Sequence, residues 1–451
     1  MLYLALMKTT VTQELTLKKI FIFWVPLAAT WLMMSVEGPF LAAIIARLTD
    51  PKYNLAAYGV AFSFALIIEA PIIMIMSAST ALVKNRDSYF KLRNFTWMLN
   101  GLITLAMLLL LIPPFFNWIA RDLINLPENV ARLTYVALVI LLPWPGAIGF
   151  RRFYQGILIR HNLTRRVAYG TIIRLTSMTA TALTLYFLFK LDGAVIGAAA
   201  LSAAVILEAL ASRVMVHSTL KRLLAEETAA VENPAAPLTY RYITNFYYPL
   251  ALTSMIALAT HPIITFFMGQ SRFAIESLAV FPVVSSLVFI FRSLGLSFME
   301  VVITFVGDNY EGYRPLRNFA AILGVVIIGS LSLIAFTPAA DVWFHHISGL
   351  SPTLTDFSRL PTQIFAVIPG TTLLLSLQRG VLVSAHKTTP ITRATALEFC
   401  TIVIMMFITI SLLDLVGVVA AATSLLFGRL LANGYLFFPY LKVLRKANPL
   451  V

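Results

Sequence analysis

Leu92-Arg93-Asn94-Phe95 returns 224 positions later as Leu316-Arg317-Asn318-Phe319. Outward from that pair, one offset, drifting only between about 222 and 225, joins the two halves of the chain from end to end. Toward the amino terminus Val25-Pro26-Leu27-Ala28 meets Tyr248-Pro249-Leu250-Ala251, and Pro39 meets Pro262. Toward the carboxyl terminus Pro113 meets Pro338, Trp118 meets Trp343, Pro127 meets Pro352 and Pro145-Gly146 meets Pro369-Gly370. Gly156-Ile157-Leu158 then meets Gly380-Val381-Leu382, and Gly193-Ala194-Val195 meets Gly417-Val418-Val419. Two unrelated apolar segments share scattered Ala and Leu by chance, but they do not align prolines, tryptophans and a tetrapeptide on one diagonal.

The repeated unit is a membrane bundle. Of 451 residues, 59% are hydrophobic and 12% charged, with a mean hydropathy of +0.86; soluble domains run near 45–50% apolar and about 25% charged. Apolar runs bounded by charges and turn formers predict twelve helical spans. They cover Ile20–Ala46, Leu55–Val83, Phe95–Trp118, Ala131–Phe150, Val167–Phe189, Gly193–Val214, Tyr242–Met268, Phe273–Val306, Asn318–Thr337, Leu360–Val383, Ile391–Leu412 and Leu415–Tyr440. Period-2 alternation is missing, which argues against a transmembrane barrel. Met1–Met7 is too short an apolar run for a cleaved signal, so the first span is expected to serve as its own targeting signal.

With the amino terminus in the cytoplasm, about 23 of the 34 Lys and Arg residues fall in cytoplasmic segments and about 7 outside, a bias that sets the orientation. Both termini are then cytoplasmic, in a multi-pass protein of the plasma (bacterial inner) membrane. Lys18-Lys19, Lys84 to Arg93, the cluster Arg151, Arg152, Arg160, Arg165 and Arg166, and the tail Lys442, Arg445 and Lys446 read as topology signals that meet anionic lipid headgroups. The formal charge of +14 is thereby assigned to loops, and no nucleic-acid partner is expected, because the interleaved aromatics of a binding face are missing.

His217–Arg241, with Glu226-Glu227 and Glu232-Asn233-Pro234, is the one long polar connection and has six spans on either side. The expected division is 1–214 as an amino-terminal six-helix lobe, 215–241 as a cytoplasmic linker and 242–451 as a carboxyl-terminal six-helix lobe. Each repeat holds an even number of spans, so both begin on the same side of the membrane. The fold class that follows is an all-α integral membrane protein, two parallel six-helix bundles related by a pseudo-twofold along the membrane normal. Bundles so arranged enclose a cavity that rocking exposes to either side in turn, whereas a channel would show a filter or re-entrant segment. Pro39 and Pro262 sit at equivalent depths and predict bends in the first and seventh spans.

Ionisable groups inside spans are expensive and mark function. Shifted by one repeat, Glu69 falls on Arg292 and Arg174 on Glu398, so equivalent positions carry opposite charges. Glu69 and Arg292 are candidates for an ion pair across the cavity that gates one face; the alternative is that each is neutralised within its own bundle. For Arg174 and Glu398 the second alternative is favoured. Glu37, before Gly38-Pro39, is the first candidate for a coupling-ion site, either as a proton carrier or with carbonyls freed by Pro39 as an Na⁺ site, and His261 is the second. Arg379, equivalent to Gln155, is placed as a positive charge at the cavity mouth. Nucleotide-binding, metal-ligand and nucleophile motifs are absent, so no catalysis, no metal and no cofactor beyond coupling H⁺ or Na⁺ is expected. The expected partners are a small-molecule substrate and membrane lipids, with no obligatory protein partner.

The helix-1 acid and proline, the two six-span repeats and Gln155-Gly156-Ile157-Leu158 resemble the superfamily of multidrug and toxin extrusion transporters, polysaccharide exporters and lipid II flippases. Leu55-Ala56-Ala57-Tyr58-Gly59-Val60-Ala61-Phe62-Ser63, Tyr248-Pro249-Leu250-Ala251-Leu252 and His261-Pro262-Ile263 are most similar to the progressive ankylosis family, linked to export of pyrophosphate, ATP and citrate. The resemblance implies an outward-facing V of two lobes and ion-coupled antiport, with the coupling acid of many extruders in the neighbourhood of Glu37. The expected function is secondary active export, by alternating access, of a small organic or phosphate-bearing anion of the pyrophosphate or citrate kind. A multidrug cation extruder or a lipid-linked saccharide flippase is the alternative, and a non-transporting membrane scaffold the remote one.

Overall fold

The structure, a computed structural model, describes residues 15–161, 163–225, 238–307, 309–385, 387 and 389–447. The segment Met1–Met7 and residues 226–237 of the expected linker lie outside the described residues, as do the side chains of Pro26 and Pro249. Among the described residues eleven helices are long and apolar enough to cross a membrane, and a bent pair makes twelve. In chain order they are α1 (Leu17–Ala46), α2 (Pro51–Leu82), α3 (Arg86–Leu110, bent by 73° into Pro113–Leu123), α4 (Glu128–Arg160), α5 (Thr164–Leu188) and α6 (Gly193–Met215). The second half contains α7 (Tyr240–Gly269), α8 (Ala274–Phe305), α9 (Tyr313–Phe336), α10 (Pro352–Ser384), α11 (Thr389–Leu412) and α12 (Gly417–Ala447). Large apolar side chains such as Phe187, Val214, Val325 and Phe438 point outward, nearly three-quarters exposed, as a lipid-facing girdle requires.

The backbone repeats its irregularities at the offset found in the sequence. Asp50 and Phe273 both take positive φ (48° and 52°) before α2 and α8, and Asn125 and Gly349 do so (62° and 77°) before α4 and α10. Wide π turns occupy Trp118–Leu123 and Val342–Ile347. Breaks divide α2 at Ala70–Ile72 and α8 at Ser297, and likewise α4 and α10 just before their Pro-Gly pairs. The Pro39/Pro262 pair departs from the symmetry. Pro39 has no N–H for the Ser35 carbonyl, and α1 breaks at Val36. Helix α7 runs unbroken through Pro262, so matched prolines do not give matched breaks.

The halves exchange parts. Ile20, Trp24 and Ala28 of α1 sit in an apolar cluster with Phe298, Val301 and Phe319 of the second half. Ile243 and Tyr247 of α7 join the first half's core beside Ile72, Leu92 and Phe95. The exchange is symmetric in its hydrogen bonds: Trp24 Nε1 donates to Leu294 O at 3.3 Å, and its repeat equivalent Tyr247 donates its hydroxyl to Pro71 O at 2.6 Å. Pro71 and Leu294 are themselves equivalent, each at the break of a helix in the opposite half. A carbonyl freed by a break is costly in a membrane unless something donates to it; Tyr247 meets that need for Pro71 O, and Trp24 shares it at Leu294 O with the Ser297 hydroxyl, which donates at 2.7 Å.

Gly156 and Gly380 set the helix spacing inside each half. A Cβ on Gly156 would overlap Ser79 Oγ and the Met76 carbonyl of α2; on Gly380 it would lie 2.6 Å from Val302 Cβ and 3.2 Å from Met299 O of α8. Gly156→Ala is expected to push α4 off α2 and to lower thermal stability in detergent by on the order of 2 kcal/mol, as overpacking does. A melting temperature equal to that of the parent would show that the helices part without penalty.

Candidate functional site: a charged cavity between the halves

Helices α2 and α8 face each other across the pseudo-twofold. They approach closely, because a Cβ on Gly59 would lie 3.3 Å from Pro282 Cγ and one on Gly38 of α1 would lie 2.9 Å from Ser286 Cβ. At the end of the bundle remote from the termini the halves are tied together. Arg47 donates to His346 O (2.7 Å) and Ile347 O (2.6 Å), and its repeat equivalent Gln270 donates to Leu123 O at 3.0 Å. Both sets of acceptors belong to the wide π turns, which therefore present carbonyls to the opposite half. Lys52 and Glu276 add an ion pair at 2.6 Å. The outward-facing V implied by the resemblance would be open at this end; here it is the tied one.

Behind this tie lies a cavity of about 490 Å³, lined by both halves. Its walls are largely apolar, with Phe62, Trp144, Phe281, Phe289 and Phe365, and Ser63 hydrogen-bonds Thr265 across it at 2.9 Å. Glu37, Glu69, Arg151, Arg152 and Arg174 line it from the first half, and His261, Arg292 and Arg429 from the second.

Most of these charges are neutralised within their own half. Arg174 of α5 donates Nε to Glu37 Oε1 at 2.7 Å, with a second, shorter bond from Nη2. Arg151 of α4 is ion-paired to Glu208 of α6; Gln155 Nε2 also donates to Glu208 at 3.1 Å, and Arg174 Nη1 stands 3.9 Å away. Helices α1, α4, α5 and α6 are thus joined by one buried polar chain. In the second half Arg429 of α12 donates to Glu398 of α11 at 2.8 Å and to Thr372 of α10 at 3.3 Å. Repeat-equivalent Arg174 and Glu398 therefore each find a partner in their own half.

Glu69, Arg152 and Arg292 stand apart. No ion pair among the described residues includes them, and Glu69 Oε2 and the Nε atoms of Arg152 and Arg292 are buried without a hydrogen-bond partner. Glu69 and Arg292, the candidates for an ion pair across the cavity, both line it but are not ion-paired. His261 packs its ring 6.1 Å from that of Phe281. Arg379 does not line the cavity; it donates to Thr395 of α11 at 3.1 Å.

Arg151 and Arg152 correct the sequence reading, which left them in a cytoplasmic loop after a span ending at Phe150. Helix α4 continues to Arg160, and both arginines line the cavity. The overlooked signal is the apolar run Phe153 to Ile159 beyond them. The i, i+4 spacing of Arg151 and Gln155 also puts the two on one helix face, where both reach Glu208.

No family model matches the chain, and neither does any curated protein. Solved structures do match over nearly its full length. An inward-facing conformation of a multidrug resistance MATE family transporter of the MOP superfamily superposes with a TM-score of 0.72 at 13% identity, covering 93% of this chain and 96% of that one. The lipid II flippase MurJ in an inward closed conformation gives 0.68 at 16% identity, covering 94% and 90%. The chain has the fold of these transporters. An outward-facing conformation of a MATE family transporter matches less well, at 0.62 with 13% identity over 96% and 97%. The twelve-helix fold class expected from the sequence is the one observed, and membership of the progressive ankylosis group finds no support among these matches.

Proposed function

We propose that this chain is a secondary transporter that moves a small organic or phosphate-bearing anion through the central cavity by alternating access. The observation that carries the reading is an excess of positive charge: among the described residues Arg152 and Arg292 line the cavity outside any ion pair, against one unpaired carboxylate, Glu69. An unpaired buried cation is expensive, and an anionic substrate supplies the missing charge. In this reading both termini are cytoplasmic, the tied end faces outward and the cavity takes substrate from the inside, which suits export. Likeness to the lipid II flippase and the aromatic walls support a second reading, a lipid-linked saccharide flippase; a multidrug cation extruder fits the fold equally.

Flux in liposomes of purified protein, with pyrophosphate, citrate and a cationic dye under imposed H⁺ or Na⁺ gradients, separates these readings. The anions are expected to move and the dye to stay; dye flux without anion flux would replace this proposal with the extruder.

Glu37 is proposed to couple transport to the ion gradient. It lies at the break of α1, in the first turn of the segment Glu37–Ala46, and a coupling H⁺ or Na⁺ would compete with Arg174 for its carboxylate. In Glu37→Gln, gradient-driven flux is expected to fall at least about tenfold, toward the rate without a gradient. Unchanged gradient dependence would remove Glu37 from coupling.

A further inference from the structure

The charges around the cavity do not balance equally in the two halves. In the first half Arg151, Arg152 and Arg174 are matched in number by Glu37, Glu69 and Glu208. Two of those carboxylates are taken, Glu208 by Arg151 and Glu37 by Arg174. The third, Glu69, stands within electrostatic reach of Arg152, so a carboxylate of its own half offsets that guanidinium. The second half presents Arg292 and Arg429 to the cavity and has one carboxylate beside them, Glu398, which Arg429 already holds at 2.8 Å. The charged neighbours that act on Arg292 are these same two residues. Arg379, off the cavity wall, brings that half a further positive charge rather than an offset. The positive charge left over on the wall is therefore that of Arg292.

Arg292 lies on α8 just before the break at Ser297, is open in part to the cavity, and buries its Nε without a partner. The wall is otherwise mostly apolar and aromatic, with Phe62 and Trp144 from the first half and Phe281 and Phe289 from the second. One acidic group relieves the uncompensated guanidinium. A second would find no free cation, and burying it among aromatic rings is costly.

We infer that the substrate carries one acidic group on an apolar body, that Arg292 is the side chain that takes the acid, and that the first half contributes wall rather than net charge. This rests on the anion reading above and narrows it: the acid travels with the second half, held by a guanidinium whose planar fork suits a carboxylate or phosphate.

The test uses the full chain in detergent and three probes: 4-phenylbutyrate, 4-phenylbutanol, which keeps the body but loses the charge, and citrate, which has three acids and no apolar body. Calorimetric titration of the parent is expected to give phenylbutyrate at least about tenfold tighter than the alcohol, and tighter than citrate. In Arg292→Gln the acid-to-alcohol ratio is expected to fall toward one, with alcohol affinity changed about twofold or less. In Glu69→Gln, where Arg152 loses its offset, citrate is expected to gain at least about fivefold. A ratio that survives in Arg292→Gln would overturn the assignment in favour of an acid held by the first half. Citrate binding the parent more tightly than phenylbutyrate would overturn the single acidic group, and citrate affinity that does not rise in Glu69→Gln would overturn the offset of Arg152. If neither anion binds the parent more tightly than the alcohol, the anion reading itself fails, which distinguishes the two. Should Arg292→Gln not yield monodisperse protein, Arg292→Lys, which keeps the charge without the fork, is expected to prefer the acid by less than the parent does; an undiminished preference would overturn the contact.

Discussion

Glu208→Ala is expected to be the most destabilising single change in the first half. Glu208 is 1% exposed and accepts from Arg151 and Gln155 while standing beside Arg174. Its removal leaves Arg151, itself 6% exposed, as an uncompensated charge. Removing one partner of a buried pair costs about 3–5 kcal/mol, more than the pair's net contribution, because the remaining ion stays desolvated. The readout is the thermal transition in detergent, with a fall of about 3–5 °C. Removing both charges with Arg151→Met and Glu208→Leu is expected to recover most of the loss, since an apolar pair carries no desolvation penalty. A Glu208→Ala protein as stable as its parent would mean that water reaches Arg151 and that the polar chain through α1, α4, α5 and α6 is not structural.

The second large effect is on flux. If the halves rock, the tie between Arg47, Lys52, Gln270, Glu276 and the π-turn carbonyls opens once in every cycle. Lys52 and Glu276 are half-buried and on opposite halves, joined at 2.6 Å. Cysteines at both positions, in a background where the exposed Cys400 is replaced by serine, are joined by a short thiol cross-linker. Flux through the cross-linked protein is expected to drop below about a tenth of its starting value, because a fixed tie blocks the change of access, and to return when the link is reduced. Full flux through the linked protein would show that this end does not open during transport. The single Cys variants, treated with the same reagent, report any effect of modification alone.

The symmetry explains why the tie has the form it does. Arg47 and Gln270 are equivalent, and so are the carbonyls they reach, Ile347 O and Leu123 O. At the other end Trp24 and Tyr247 are equivalent, as are Leu294 O and Pro71 O. In all four cases a side chain from one half donates to a carbonyl at a π turn or a helix break of the other. Irregular backbone thus provides the places where the halves hold each other without burying further charge. A side-chain donor to a single carbonyl contributes about 1 kcal/mol net, small enough to be released without a large barrier.

How far this was legible in advance depended on the distance over which the signal acts. Apolar length, loop charge and the recurrence of Leu92–Phe95 as Leu316–Phe319 are local or periodic features, and they determined by themselves the helical membrane class, the number of spans and the two-half architecture. The same periodicity located Glu69 and Arg292 at equivalent depths and the spacing glycines Gly156 and Gly380. What depended on tertiary structure was partnership. No one-dimensional pattern says that Arg174 reaches Glu37 rather than Glu398, that Arg151 leaves its apparent loop for Glu208, or that α1 and α7 cross into the opposite half. Those outcomes are set by which helices pack together, because a buried charge is stabilised by whatever lies within a few ångströms, and such neighbours come from segments 50 to 140 residues apart. The sequence by itself determined a repeated bundle around an axis; only the packed structure decided which arginines find a carboxylate and which do not.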